Sequence, residues 1–149
     1  MIVAALLSAI HLLTLALGAG AIFMRGRALG RPLDDAGWKK LLATDNAWGL
    51  AALLWIASGL GRVFAGGKDP SFYVRNGFFW IKMGLFALVF LLEIAPMVTF
   101  IRVRIARGRG APLPAVPVST LRRINAIELA LVIVIVVVAA FMARGAWLF

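Results

Sequence analysis

The sequence contains no cysteine, a single histidine and only six acidic residues among its 149 positions. Without cysteine, neither disulfides nor thiolate-bound metal sites can form. Charged residues make up 15% of the chain, against about a quarter in a typical soluble domain, whereas hydrophobic residues make up 63%. The composition therefore indicates an integral membrane protein, and the length allows one domain over residues 1–149 and no second one.

The net charge of +10 does not indicate nucleic-acid binding, because the basic residues stand just outside the apolar runs. In that position they are typical of topology determinants and of contacts with anionic lipid headgroups. A protein that binds nucleic acid needs a basic soluble surface, and this chain has no segment to form one. We therefore expect membrane lipids, and no nucleic acid, as partners.

Four segments are long and apolar enough to cross a bilayer, which takes about 20 residues of α-helix. They span roughly 2–24, 45–66, 77–101 and 124–143. Each should be helical, because an isolated strand would leave its backbone groups unpaired in lipid. The first segment has no basic residues before it and is too long for a cleaved signal peptide. We therefore expect it to remain in the protein as a membrane-spanning helix. The sequence predicts an all-α, integral membrane four-helix bundle.

The basic residues are distributed unequally between the connections. Eleven positive charges belong to two connections, residues 25–44 and 102–123, and Arg25 is counted among them. The opposite side of the membrane, which has the connection between spans two and three and the C-terminal end, has four. The positive-inside rule then predicts an up-down-up-down order in a bacterial inner membrane, with both termini periplasmic. An aromatic belt near the span ends is expected to contain Trp38, Trp48, Tyr73, Trp80 and Trp147.

The connections differ in predicted structure. Pro32 and Asp34-Asp35 form a plausible helix start, after which Leu33, Trp38, Leu41 and Leu42 could lie on the membrane surface. Residues 108–117 are rich in Gly and Pro, which indicates an extended or flexible connection. Gly66-Gly67-Lys68-Asp69-Pro70 is typical of a tight turn.

Ionisable residues inside a span are costly, so each is a candidate for function. His11, Lys82, Glu93 and Glu128 are of this kind, and Asp45 lies at the inner end of span two. Lys82 and Glu93 share a helix face about 16 Å apart. We predict an outer cluster of His11 and Lys82. We also predict an inner cluster, which consists of Asp45, Asn46, Glu93, Asn125 and Glu128.

Each of these residues also has a simpler structural explanation. His11 could hydrogen-bond a carbonyl on a neighbouring helix instead of binding a cofactor. Lys82 could extend its amine to the membrane surface. Glu93 and Glu128 could be protonated and join helices by hydrogen bonds, or could form a proton path. The small residues Ala16, Gly18, Gly20, Gly59 and Gly61 indicate close helix packing.

A set of motifs extends over nearly the whole chain: His11, Asp45-x-x-x-Gly49, Gly59 with Arg62, Lys68-Asp69-Pro70-x-x-Tyr73-x-x-Asn76-x-x-Phe79-x-x-Lys82, Pro96 with Phe100 and Arg102, Leu121-Arg122-Arg123, and Glu128. In these positions the chain resembles a bacterial family catalogued as domain of unknown function 2214. That family is more distantly similar to the copper-resistance protein D-like and HemJ-like membrane proteins. HemJ-type oxidases associate a His of span one and a later Lys with b-type haem, and His11 and Lys82 match that pair in type and order.

The resemblance implies a b-type haem, or a related porphyrin or redox cofactor, bound inside the bundle with His11 as iron ligand and Lys82 beside it. If the protein is an enzyme, a membrane oxidoreductase is expected. The alternative is a noncatalytic accessory or scaffold subunit of a larger membrane complex, and a homo-oligomer is also compatible. Copper transport would need a series of Met, His or Cys ligands, and hydrolysis would need a base beside one of the serines. Neither pattern occurs.

Overall fold

The computed structural model describes residues 2–66 and 68–146, and every regular element in those ranges is helical. The helices are α1 (Ile2–Leu29), α2 (Asp35–Ala65), α3 (Pro70–Val74), α4 (Gly77–Gly108) and α5 (Val118–Ala143). All except the short α3 are long and apolar enough to cross a membrane. The prediction of four apolar helices is confirmed, while Gly67 and Trp147 lie outside the described residues.

The helices extend beyond the apolar runs that predicted them. α1 continues from 24 to Leu29, α4 continues from 101 to Gly108, α5 starts at Val118 instead of 124, and α2 starts at Asp35 instead of 45. Hydropathy marks where lipid begins, whereas a helix ends where its backbone hydrogen bonds end. At the start of α2 the side chain of Asp34 accepts a hydrogen bond of 2.7 Å from the Gly37 N–H. The predicted helix start at Asp34-Asp35 is therefore correct.

The connection between α2 and α4 contains the short helix α3. Its cap is Asp69, whose side chain accepts from the Ser71 N–H, and Pro70 occupies the first helical turn, where the missing N–H of proline does no harm. Hydrogen bonding to Ser71 lowers the pKa of the Asp69 carboxyl below its usual value. Asn76 then caps α4 through the Phe78 N–H. The predicted turn therefore leads into an additional capped helix.

The buried apolar residues form two clusters. One contains Ala28, Leu29, Trp38, Leu41, Phe100, Val103 and Leu121. The other contains Ile22, Trp48, Trp55, Val89, Val132 and Ile135. Trp38 and Leu41 were expected on the membrane surface, and Trp38 and Trp48 in an aromatic belt. Those expectations are wrong, because the indole rings and the leucine fill the space between helices that pack together.

Helix α1 packs against both α2 and α5, and α4 packs against α5. A side chain built at Gly18 would contact Trp48, and one at Gly61 would contact Leu7, so these glycines permit close approach as predicted. Gly20 has no neighbour within 4 Å of such a side chain, and its predicted packing role is wrong. In the most apolar part of each of the four long helices, at most 22% of the residues are buried. Most of the apolar surface of these helices is therefore available to lipid.

Candidate functional site

His11 lies on α1 and hydrogen-bonds to two side chains of α2. The Trp55 indole donates to Nε2 over 3.0 Å, and Nδ1 lies 2.9 Å from the Ser58 hydroxyl oxygen. The hydroxyl in turn donates to the Trp55 carbonyl over 3.1 Å. The imidazole is 6% exposed, and Gly59 provides the space beside it, since a Cβ there would lie 3.2 Å from His11 Cε1.

These contacts define the protonation of the ring. An indole N–H can only donate, so Nε2 of His11 must be unprotonated and accept. Because the Ser58 hydroxyl proton is directed to the Trp55 carbonyl, the ring proton lies on Nδ1 and is donated to Ser58. The imidazole is therefore neutral, and both of its nitrogens are engaged within the protein. The simpler explanation for His11 was a hydrogen bond to a carbonyl on a neighbouring helix. The structure comes close to it, but the partners on α2 are the side chains of Trp55 and Ser58.

Two adjoining cavities, of about 140 Å³ and 460 Å³, open beside His11. We refer to them together as the His11 cavity. The residues that line both are His11, Trp55, Arg62, Tyr73, Lys82 and Met142. Phe79 and Phe86 line the smaller part, and Lys68 lines the larger. The cavity thus brings together His11 and Lys82, which the sequence predicted as one cluster.

The charge of the His11 cavity is of one sign. Arg62, Lys68 and Lys82 contribute cationic groups, and no carboxylate belongs to the cavity lining within the described ranges. Nor does Lys82 form a hydrogen bond or ion pair with any described residue. Arg62 also belongs to this lining, a place that its position in the sequence did not indicate.

A second polar group is centred on Arg25, which is 0% exposed. Its Nε donates to Asn125 Oδ1 over 2.8 Å and its Nη1 to Asp45 Oδ1 over 3.1 Å. Glu93 accepts from both terminal nitrogens, at 2.7 and 2.9 Å, and Glu128 Oε2 accepts from Nη2 at 2.6 Å. We call Arg25 and these four residues the Arg25 cluster. It joins α1, α2, α4 and α5.

The edge of the Arg25 cluster is formed by Arg104 of α4. Its Nη2 donates to Asp45 Oδ2 and to Asn46 Oδ1, each over 2.7 Å. The side chain of Asn46 is therefore linked to the predicted inner cluster through its hydrogen bond with Arg104. The Trp48 indole also donates to Glu93 Oε2 over 3.0 Å. The structure thus brings together the five predicted residues, with Asn46 at the margin.

Arg25 is the central residue that sequence reasoning missed. Its position after the apolar run placed it among the predicted loop cations, but it lies inside α1 and is buried. A signal was available, because positions at intervals of three or four residues from His11 reach Arg25 by way of Leu15, Gly18 and Ile22. Ending span one at residue 24 concealed that continuation. Trp55 and Ser58 gave no comparable signal, since nothing in their spacing relates them to His11.

No group of three or more His, Asp or Glu side chains suited to a metal ion occurs within residues 2–66 and 68–146. Axial ligation of haem iron needs a free imidazole nitrogen, whereas both nitrogens of His11 are engaged. As arranged, His11 does not fit iron ligation, because neither nitrogen is free. The binding of haem through His11 stays a prediction.

Comparison with known proteins identifies one family. A family model described as "Predicted membrane protein (DUF2214)" matches residues 3–146. No curated protein and no solved structure matches the chain. The match covers all five helices except Ile2 at the start of α1, and it includes the residues of both polar sites.

Proposed function

This chain belongs to the predicted membrane protein family DUF2214, and from that premise we propose that it binds an anionic amphiphile of the porphyrin class in the His11 cavity. The protein is a multi-pass membrane protein with four apolar helices. The observation that carries the proposal is the composition of the cavity lining, in which cationic side chains lie among aromatic and aliphatic ones, with no carboxylate contributed by the described part of the chain.

The charges select for an anionic group. Lys82 and Arg62 are half-buried, and a half-buried cation on a membrane-spanning helix is ordinarily paired, because an uncompensated charge is costly there. Lys82 and Arg62 line a common cavity without an acidic neighbour in that lining. A ligand with carboxylate groups would supply the missing counter-charges and form charge-assisted hydrogen bonds, which are about twice as strong as neutral ones.

The remaining lining selects for a flat apolar body. Trp55 and Phe86 meet edge to face with their centroids 5.7 Å apart, and Tyr73 and Phe79 at 6.0 Å. Aromatic edges and faces of this kind contact a planar conjugated ligand favourably. The larger cavity, about 460 Å³, is in the range of small-molecule sites. A porphyrin with its propionates combines the required shape and charge.

In this proposal the iron has no essential part. The contacts of His11 with Trp55 and Ser58 would have to break before the imidazole could ligate iron. When bound, a haem would supply redox chemistry, while this chain's residues would hold its propionates and exclude water. The resemblance to HemJ-like proteins supports the porphyrin class on separate grounds, through the pair His11 and Lys82.

The test is a binding titration of the purified protein in phosphatidylcholine nanodiscs. Metal-free protoporphyrin and haem are added separately, and quenching of tryptophan fluorescence reports occupancy beside Trp55. Lys82→Gln and Arg62→Gln should each weaken binding about ten- to one-hundred-fold, the loss of one charged hydrogen bond of about 1.5–3 kcal/mol. Lys40→Gln, at an exposed lysine of α2, is the matched control and should leave affinity unchanged.

Other outcomes would contradict the proposal. If phosphatidylglycerol displaced the porphyrin at equal concentration, the ligand would be a lipid. If haem alone bound, with a Soret band lost in His11→Ala, iron ligation would be the correct explanation. If neither tetrapyrrole bound, the noncatalytic accessory or scaffold subunit would become the favoured function, and copurification of a larger complex would be sought.

We also propose a bacterial inner-membrane location with both termini periplasmic. Without Arg25, which is buried, ten basic residues belong to the two basic connections and their adjoining helix ends, against four on the other side. That asymmetry still favours the same orientation. The support comes from charge alone.

A further inference from the structure

The guanidinium of Arg25 has no hydrogen-bonding capacity left. It carries five N–H donors, and five contacts are formed: one to Asn125, one to Asp45, two to Glu93 and one to Glu128. The two bonds to Glu93 form a bidentate pair, the strongest arrangement for these groups. Arg25 is therefore matched primarily to Glu93.

The acids and bases of this region are unequal in number. Asp45, Glu93 and Glu128 are the carboxyl groups within ion-pair distance of Arg25, and Arg104 is the second cation, 2.7 Å from Asp45. With Arg104 assigned to Asp45 and Arg25 to Glu93, Glu128 has no cation of its own. If all three acids were ionised, the group would carry one uncompensated negative charge.

The surroundings of Glu128 make that charge costly. Its side chain is 0% exposed, compared with 11% for Asp45 and 21% for Glu93. Its Oε2 accepts from Arg25, while Oε1 is buried and has no hydrogen-bond partner in the described structure. An unpaired ionised oxygen away from water is strongly unfavourable. A proton on that oxygen removes the excess charge.

We propose that the Arg25 cluster is a proton-binding site that holds one exchangeable proton on Oε1 of Glu128. Binding forms one O–H bond with a proton taken from water, and release returns it to water through the partly exposed Glu93 side. The charged and polar groups that face this site are Arg25 of α1, Asp45 of α2, Glu93 and Arg104 of α4, and Asn125 of α5. The proposal is independent of any ligand in the His11 cavity.

The test is infrared spectroscopy of the membrane-reconstituted protein at neutral pH. The wild type should show the carbonyl band of one protonated carboxylic acid per chain, shifted on transfer to D₂O. Glu128→Gln should abolish the band, because the amide keeps the shape and cannot hold the proton. Asp35→Asn, at an exposed acid on α2, is the control and should leave the band unchanged.

A second variant tests the charge balance even if Glu128→Gln fails to fold. Glu93→Gln removes one acid, so Asp45 and Glu128 alone can neutralise the two arginines. The band should then disappear although Glu128 is still present. A folded wild type without the band would overturn the proposal. So would a band that persisted in either Glu128→Gln or Glu93→Gln.

Discussion

Replacement of Arg25 by methionine should destabilise the bundle strongly. The change removes five hydrogen bonds and leaves the carboxylate of Glu93 without its bidentate partner. Removing one member of a buried ion pair costs about 3–5 kcal/mol, because the other charge stays buried without compensation. Since native proteins are stable by only about 5–15 kcal/mol, this loss is a large part of the total.

The measurement is unfolding in mixed micelles of increasing SDS fraction, followed by far-UV circular dichroism. Arg27→Met is the matched control, because Arg27 is an exposed arginine on the same helix and should change stability by less than about 1 kcal/mol. The double variant Arg25→Met/Glu93→Gln should recover at least about 1 kcal/mol by neutralising the orphaned charge. An Arg25→Met protein as stable as Arg27→Met would refute the account of the Arg25 cluster.

Two pairs of single substitutions test the helix packing and the topology. In Gly26→Ala the new Cβ would lie 2.6 Å from Asn125 Nδ2, so the unfolding free energy should fall by about 1–3 kcal/mol. Gly20 has open space around it, so Gly20→Ala should leave the unfolding free energy unchanged or raise it by up to about 1 kcal/mol. If both variants changed the unfolding free energy equally in the same assay, the close contact between Gly26 and Asn125 would be contradicted. For topology, Lys68→Cys should react with a membrane-impermeant maleimide in intact cells, while Arg109→Cys should react only after permeabilisation; the reverse pattern would invert the proposed orientation.

Much of the helical architecture could be predicted from the chain alone. Apolar runs of about 20 residues report how many segments lipid can solvate, and all four predicted spans correspond to helices. The ionisable residues inside the predicted spans were also found, because such a side chain in an apolar run is conspicuous, whereas Arg25 beyond the predicted end of span one was missed. The ends of the helices were less predictable. Hydropathy changes at residue 24, whereas the helical hydrogen bonds of α1 continue to Leu29.

The partners of each polar residue depended on tertiary structure. Arg25 and Glu128 are separated by 103 positions, and His11 and Trp55 by 44, so no local pattern relates them. Their contacts depend on which helices are neighbours and on the rotation of each helix about its axis. A single apolar sequence specifies neither, because lipid and protein interior are almost equally apolar.

The amino-acid sequence by itself determined the solvent of this protein, since its long apolar segments need lipid around them. It also marked the few ionisable residues in those segments as candidates for function, because a charge in lipid is costly. Only the tertiary structure decided what those charges do. It places the cations of the His11 cavity beside aromatic rings, with no acid among the described lining residues, and it surrounds Arg25 with three carboxyl groups. Electrostatic energy depends on distance and burial in three dimensions, and neither quantity can be calculated from the order of residues.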